Sequence, residues 1–327
     1  MARNIILRNK QCPGDVLMIT AAVRDLKKEH GDEYKIDVRT NAWDLWRENP
    51  YIERVDEFND ECDTFDIGYP DVHRSGKQVM HFSDGPRRHL ERLLNITIPS
   101  TRIGGDVHLN YKEMTDNPMV QQYGYDGPYW IVAGGGKFDF TAKWWGPTNY
   151  QRVVKELSNE VVFVQTGETK HYHPPIEGAF NMVGQTNIRQ FMQLMYHADG
   201  VLCPTTFAMH LAAATPLRPN QKSRPAVVIA GGREPSHWES YPGHSFFDTI
   251  GQLSCCLTSA CWKSRCSMVG DGDKKDNNLC TNRVALDLPD HLLPSKMGED
   301  KVFIPKCMDM ITPKMVSDRI RNYLPLI

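Results

Sequence analysis

The sequence predicts an α/β protein of two Rossmann-like domains facing a central cleft. Three observations carry that prediction. A strand–helix–strand pattern occupies residues 4–40. A second series of alternating strands and helices starts after Gly127-Pro128. Glycine- or threonine-rich turns close several of the strands. Repeated β-loop-α units of this size build doubly wound parallel sheets. The chain has 327 residues, enough for two ordinary domains, each with its own core.

Residues 4–8 read as a short buried strand. The turn Gln11-Cys12-Pro13-Gly14-Asp15 leads into a helix over 16–28, with Leu17, Ala21, Val23 and Leu26 as apolar positions. Ile36 and Val38 alternate with Lys35, Asp37 and Arg39, which marks 34–40 as a strand. A short helix fits 43–48, stopped by Asn49-Pro50. Residues 71–126 are polar and turn-rich, with a helix expected near 89–94 and an extended piece at 107–109. The second series places strands at 129–133, 161–165, 200–203 and 226–230. Its helices fall near 148–157, 187–197 and 207–214, and a last helix covers about 312–323. The expected division is an N-terminal domain over 1–125, a C-terminal domain over 126–311 that includes a cysteine-rich loop, and a C-terminal helix within 312–327.

Composition narrows the function. Lysine and arginine total 38 against 40 acidic residues, a formal charge of -2, which argues against general nucleic-acid binding. No segment reaches the run of about 20 apolar residues that a membrane span needs. The N-terminus turns polar after Ile5-Ile6-Leu7, too soon for a signal-peptide core, so a cytoplasmic location is the expectation.

Six of the nine cysteines lie at positions 255, 256, 261, 266, 280 and 307. Thiolates are soft charged ligands, and four converging on one point hold zinc or iron. The segment 270–278, Gly-Asp-Gly-Asp-Lys-Lys-Asp-Asn-Asn, has almost no apolar surface to bury, so something other than a hydrophobic core must hold it. Disulfides and simple packing of small thiols are the alternatives, and a reducing compartment favours ligands. The preferred set is Cys255, Cys261, Cys280 and Cys307, with Cys256 and Cys266 near enough to substitute.

Other segments fall at strand ends, where α/β proteins bind ligands. Gly14-Asp15 follows the first strand, and Asp15 is either a helix cap or a general base reaching an acceptor hydroxyl. Gly134-Gly135-Gly136 lets backbone N–H groups approach an anion, or serves a plain turn. Lys143, in Lys-Trp-Trp-Gly-Pro, is placed to neutralise a diphosphate leaving group unless it is merely solvated. Thr205 and Thr206 stand at a helix N-terminus suited to phosphate, and one of them can also cap it. His210 is a ligand contact or a packed histidine. Gly232 and Arg233 repeat the pattern of close approach followed by charge.

Taken in order, these segments resemble glycosyltransferase family 9, the ADP-heptose transferase family. The carriers are Gly14-Asp15-Val16-Leu17, residues 49–55, and Lys143-Trp144-Trp145-Gly146-Pro147. They continue in Gly184-Gln185-Thr186-Asn187 and in His210-Leu211-Ala212-Ala213-Ala214. The resemblance implies a GT-B fold and an inverting transferase that moves a heptose-like sugar from a nucleotide-diphosphate donor. The acceptor would be a hydroxyl of a protein serine or a glycan, bound on the N-terminal side. It makes Asp15 the general base and Lys143 a donor-phosphate contact, with Thr206 and His210 flanking the donor. Gly14, Gly135, Gly136, Thr205, Gly232 and Arg233 complete the substrate-binding set. No catalytic divalent metal is expected when a lysine and a helix end stabilise the diphosphate. Thr205 stands where the family has aspartate and Phe207 where it has glycine, which leaves the sugar open. The cysteine cluster resembles that of the iron-containing autotransporter heptosyltransferase subgroup, and iron over zinc as a structural ion rests on that resemblance alone. A non-catalytic metal-stabilised assembly protein and a GT-B-like nucleotide-sugar epimerase are the rival readings, and homo-oligomerisation stays open.

Overall fold

β1 (Arg3–Asn9) buries Ile5, Ile6 and Leu7 and lies between two parallel neighbours, β2 (Tyr34–Thr40) and β3 (Cys62–Asp66), giving the order β2-β1-β3. The computed structural model describes residues 2–58, 61–74 and 78–326. α1 (Pro13–His30) starts with proline in its first turn, where no N–H is needed. Asp15 Oδ2 accepts the Cys12 N–H at 3.0 Å. Gly31, at φ +55°, ends it in a backbone conformation that side-chain-bearing residues avoid. Residues 16–26 of α1 are all buried, because the helix is covered on more than one side. Its Arg24 guanidinium bonds Asp25 and the carbonyls of Arg102 and Gly104, which seats the 101–106 segment. α2 (Asp84–Leu94) packs on α1, and α3 (Tyr111–Thr115) and α4 (Pro118–Gln121) lead to the second sheet.

That sheet is built from β4 (Trp130–Val132), β5 (Phe163–Gln165), β6 (Ala179–Asn181), β7 (Gly200–Pro204), β8 (Ala226–Gly231) and β9 (Ser245–Asp248). The order is β6-β5-β4-β7-β8-β9 and every pairing is parallel. α5 (Pro147–Glu156), α6 (Ile188–His197), α7 (Phe207–Ala214) and the short α8 (Ser236–Glu239) provide its helical connections. An antiparallel hairpin, β10 (Arg283–Leu286) and β11 (Val302–Pro305), closes the cysteine-rich region. α9 (Lys306–Asp309) follows, and α10 (Pro313–Tyr323) returns to pack on α5 and β8. Two parallel, helix-covered sheets in one chain make this a GT-B fold.

One apolar cluster runs from Ile5 and Leu7 through Leu17 and Leu26 to Met209, Val201 and Trp238, so the two halves share a core. Each sheet also has a point where successive strands depart to opposite sides. In the first it lies between β1 and β3, in the second between β4 and β7. Ligands of open α/β sheets bind in the crevice at the carboxyl ends of such strands.

Three local expectations differ from the structure. Over 43–48 only a 3₁₀ turn, Trp43–Leu45, forms, and Glu48 at φ +62° breaks any continuation. Residues 107–109 join no sheet among the described residues. β3, β6, β9 and the β10–β11 hairpin were not expected. Cys-Asp-Thr-Phe-Asp in β3 is an edge strand with no apolar alternation to announce it. Among the described residues no helix is long and apolar enough to cross a membrane.

Candidate active site

The N-terminus of α1 abuts the N-terminus of α7 across the seam between the halves. A Cβ added to Gly14 would stand 3.7 Å from His210 Cδ2 and 3.8 Å from Phe207 Cα. The backbone next to Asp15 therefore lies against Phe207 and His210. The Asp15 carboxylate is the N-terminal cap partner of α1, through Cys12 N–H to Oδ2, and also accepts the Tyr69 hydroxyl on Oδ1 at 2.8 Å. Burial and the adjacent Asp15 charge push the Tyr69 phenol pKa well up, so Tyr69 stays a donor. Tyr69 itself receives Gln11 Nε2 at 3.1 Å. Each Asp15 oxygen keeps a free lone pair, so cap and base are compatible roles.

Lys143 ends the 3₁₀ stretch Phe138–Lys143 and points across to the loop after β7. Its Nζ donates to the Thr205 carbonyl at 2.9 Å and lies 2.9 Å from Glu234 Oε1. Thr205 Oγ1 donates to Glu234 Oε2 at 2.5 Å, and Arg233 Nη1 pairs with Glu234 Oε1. Burial alone would raise the Glu234 pKa, but Arg233 and Lys143 outweigh it and hold the carboxyl down at about 2. Thr206 is the N-cap residue of α7, and its Oγ1 is buried with no hydrogen-bond partner among the described residues. A helix N-terminus with an unspent hydroxyl beside a lysine is chemistry for an anion.

His210 is buried one turn into α7. Its Nδ1 is 2.5 Å from the Tyr241 hydroxyl and its Nε2 is 3.1 Å from Glu239 Oε2. Phe82 lays its ring edge-on to His210, and His81 does the same to Tyr241. Burial, reinforced by the charge of nearby His210, lowers the His81 pKa to about 4. Both halves thus contribute to one buried polar cluster.

The glycines have steric reasons to be glycine. A Cβ on Gly135 would sit 1.9 Å from the Tyr172 carbonyl oxygen, and the Gly136 N–H is spent on that same oxygen at 3.0 Å. A Cβ on Gly232 would meet Cys256 Sγ at 2.7 Å. Arg233 is buried, donates Nε to the Lys263 carbonyl, and stacks over Phe140 and Trp262. The loop after β4 also reaches the other half, where Lys137 Nζ lies 2.7 Å from Cys12 Sγ.

Cys255, Cys256, Cys261, Cys280 and Cys307 border one cavity of about 10 Å³, together with Gly232 and Arg233. That is room for about one small sphere. The nine cysteines are all free. Among the described residues no group of three or more His, Cys, Asp or Glu side chains stands in a metal-holding arrangement. The residue types suit a soft ion, since five cysteines border the same void. Cys266 lies behind it, buried with Ala142 and Cys280, and its hydrogen bond to Cys280 lowers the Cys280 pKa to about 6.

The structure brings Asp15, Lys143, Thr205, Thr206 and His210 to one seam. Gly232 and Arg233 sit at the border between that seam and the cysteine cavity. Sequence reasoning missed Tyr69 and Glu239 as partners. Glu234 had a signal, a carboxylate directly after a Gly-Gly-Arg strand end, whereas Tyr69 follows a strand that the sequence hides.

Similarity to known proteins enters at this point. The family model described as Glycosyltransferase family 9 (heptosyltransferase) matches residues 94–220. No curated protein sequence matches it. Among solved structures, the chain is similar to E. coli ADP-heptose lps heptosyltransferase II at 14% identity and TM-score 0.58, covering 98% of each chain. It is similar to a glycosyl transferase family 9 protein from Veillonella parvula at 13% identity and TM-score 0.58, covering 76% of this chain and 88% of that one. It is also similar to TibC, an iron-containing dodecameric glycosyltransferase from enterotoxigenic E. coli, at 17% identity and TM-score 0.59, covering 99% of this chain and 76% of that one. At these identities the structures speak for the fold.

Proposed function

We propose that the chain is an inverting, heptosyltransferase-like glycosyltransferase that takes its sugar from a nucleotide-diphosphate donor. ADP-heptose is the donor chemistry suggested by the similar structures, one of which is TibC in complex with ADP-D-beta-D-heptose. The observation that supports the proposal is the packing of Gly14, the neighbour of Asp15, against Phe207 and His210 of α7, beside the turn where Lys143 bonds the Thr205 carbonyl.

Asp15 deprotonates an acceptor hydroxyl as that oxygen attacks the anomeric carbon opposite the leaving group. Tyr69 and the Cys12 N–H hold its carboxylate in place for that transfer. The departing diphosphate gathers negative charge, which the Lys143 ammonium, the Thr206 hydroxyl and the N-terminus of α7 oppose. Each well-aimed donor of this kind contributes roughly 3 to 4 kcal/mol to the transition state. The acceptor is a hydroxyl of a protein or a glycan, presented from the N-terminal half. An iron or zinc ion in the cysteine cavity would be held by thiols drawn from Cys255, Cys256, Cys261, Cys280 and Cys307. It would supply a crosslink for a loop poor in apolar contacts.

The Asp15→Ala variant tests the assignment. It is expected to lose acceptor-dependent release of ADP from ADP-heptose while binding ADP with near wild-type affinity. Transfer at a near wild-type rate would remove Asp15 as the base.

A further inference from the structure

Glu234 lies directly after the strand end that borders the cysteine cavity and is 4% exposed. A charge that deep needs partners, and it has three. Arg233 pairs with Oε1 from one side, Lys143 Nζ approaches Oε1 at 2.9 Å from another, and Thr205 Oγ1 donates to Oε2 at 2.5 Å. The arrangement is directional. Arg233 is anchored from behind by the Lys263 carbonyl and by the Phe140 and Trp262 rings, so it fixes the carboxylate. Lys143, whose side chain is 20% exposed, is the partner that faces the seam.

We propose that Glu234 is a positioning residue of the donor site, a buried carboxylate that holds Lys143 and the Thr205–Thr206 turn where a nucleoside diphosphate would meet them. The proposal rests on the reading of Lys143 as a diphosphate contact. Without the carboxylate, the Arg233 and Lys143 cations face each other in a dry environment and repel. The lysine, as the more mobile of the two, then leaves the Thr205 carbonyl for solvent. Bulk electrostatics predicts the opposite outcome, because removing a negative charge should strengthen attraction for a diphosphate. The sign of the effect therefore separates positioning from simple charge.

The experiment is ADP titration by calorimetry on the full chain, with a thermal melt of each variant. Lys143→Ala tests the underlying reading, and ADP binding at wild-type affinity in that variant would end it. Given a loss there, Glu234→Gln is expected to weaken ADP about tenfold, the scale of one charge-assisted hydrogen bond. In the Lys143→Ala background the same change is expected to have almost no further effect, a non-additivity that general destabilisation would not produce. Because Thr205 adjoins both Glu234 and Lys143, the pair Thr205→Asp with Glu234→Gln moves the carboxylate by one partner. It is expected to restore ADP affinity to within about threefold of wild type. If Glu234→Gln does not fold, this relocated-charge variant decides. Unchanged or tighter ADP binding in Glu234→Gln, additive losses with Lys143→Ala, or a folded relocated-charge variant that fails to bind would each overturn the proposal.

Discussion

Among the described residues, the Tyr69 hydroxyl bonds directly to the Asp15 carboxylate, which makes it the sharpest single-residue test of the proposed base. Tyr69→Phe removes one hydroxyl and keeps the ring, which packs edge-on to Phe82. The Cys12 N–H still holds Oδ2, so the carboxylate stays tethered at one end only. The expected result is a fall in kcat of about tenfold, worth about 1.4 kcal/mol, with KM for the donor nearly unchanged. Steady-state rates with saturating ADP-heptose measure it, and an unchanged kcat would show that the helix cap alone orients the base. At this scale the sequence was readable where a residue's partner is local. Asp15 sits three residues from the backbone N–H it caps, and that spacing is visible in one dimension. Its bond to Tyr69 spans 54 residues and passes through a strand with polar residues on both faces. No local pattern announces such a contact.

The cysteine-rich loop is the element whose hold on the rest of the molecule is most unusual. Thr141, two residues before Lys143, accepts N–H bonds from Cys266 and Ser267 on its hydroxyl and donates to the Ser267 carbonyl. Arg265, fully buried, binds Asp271 and Asp276 and so gathers the polar 270s loop around a guanidinium instead of an apolar core. The loop is thus laced to the segment that carries Lys143 by polar bonds, and the cysteine-lined cavity lies beside them. An ion held there would add a crosslink. Protein purified without affinity metal is expected to carry about one equivalent of iron or zinc, and stripping it with a chelator should lower Tm, because binding energy at such a site is folding energy. Less than about half an equivalent by elemental analysis counts against a built-in ion. The sequence made the cluster visible through its six neighbouring cysteines. It did not distinguish Cys256, which faces the cavity, from Cys266, which is buried behind it, because that depends on the direction the backbone takes after Gly232.

At the scale of the whole molecule, buried titratable groups lie at the seam between the halves and within the second half. His81 comes from the first half, His244 lies beside Tyr241 in the second, and His173 closes over Gly135 and Gly167 at the ends of β4 and β5. Burial lowers each of these pKa values to about 4, with nearby His210 adding to the effect on His81 and His244 and His171 on His173. In the unfolded chain the same imidazoles titrate near 6.5. Above that pH both states are neutral and the folded state keeps its full stability. As pH falls from 6.5 toward 4, the unfolded chain takes up protons that the folded one refuses, so stability drops. Each such histidine steepens the loss by up to about 1.4 kcal/mol per pH unit. The three together make acid sensitivity appear well before carboxylates titrate. Urea denaturation at pH 7.5 and pH 5.0 is expected to show a markedly lower midpoint at the lower pH with an unchanged slope. A shared core argues that this loss is cooperative, because Met209 and Trp238 of the second half belong to the same apolar cluster as Ile5 and Leu17 of the first. Equal midpoints at the two pH values would mean that these imidazoles reach solvent in the folded protein and that the seam is open where the structure has it closed.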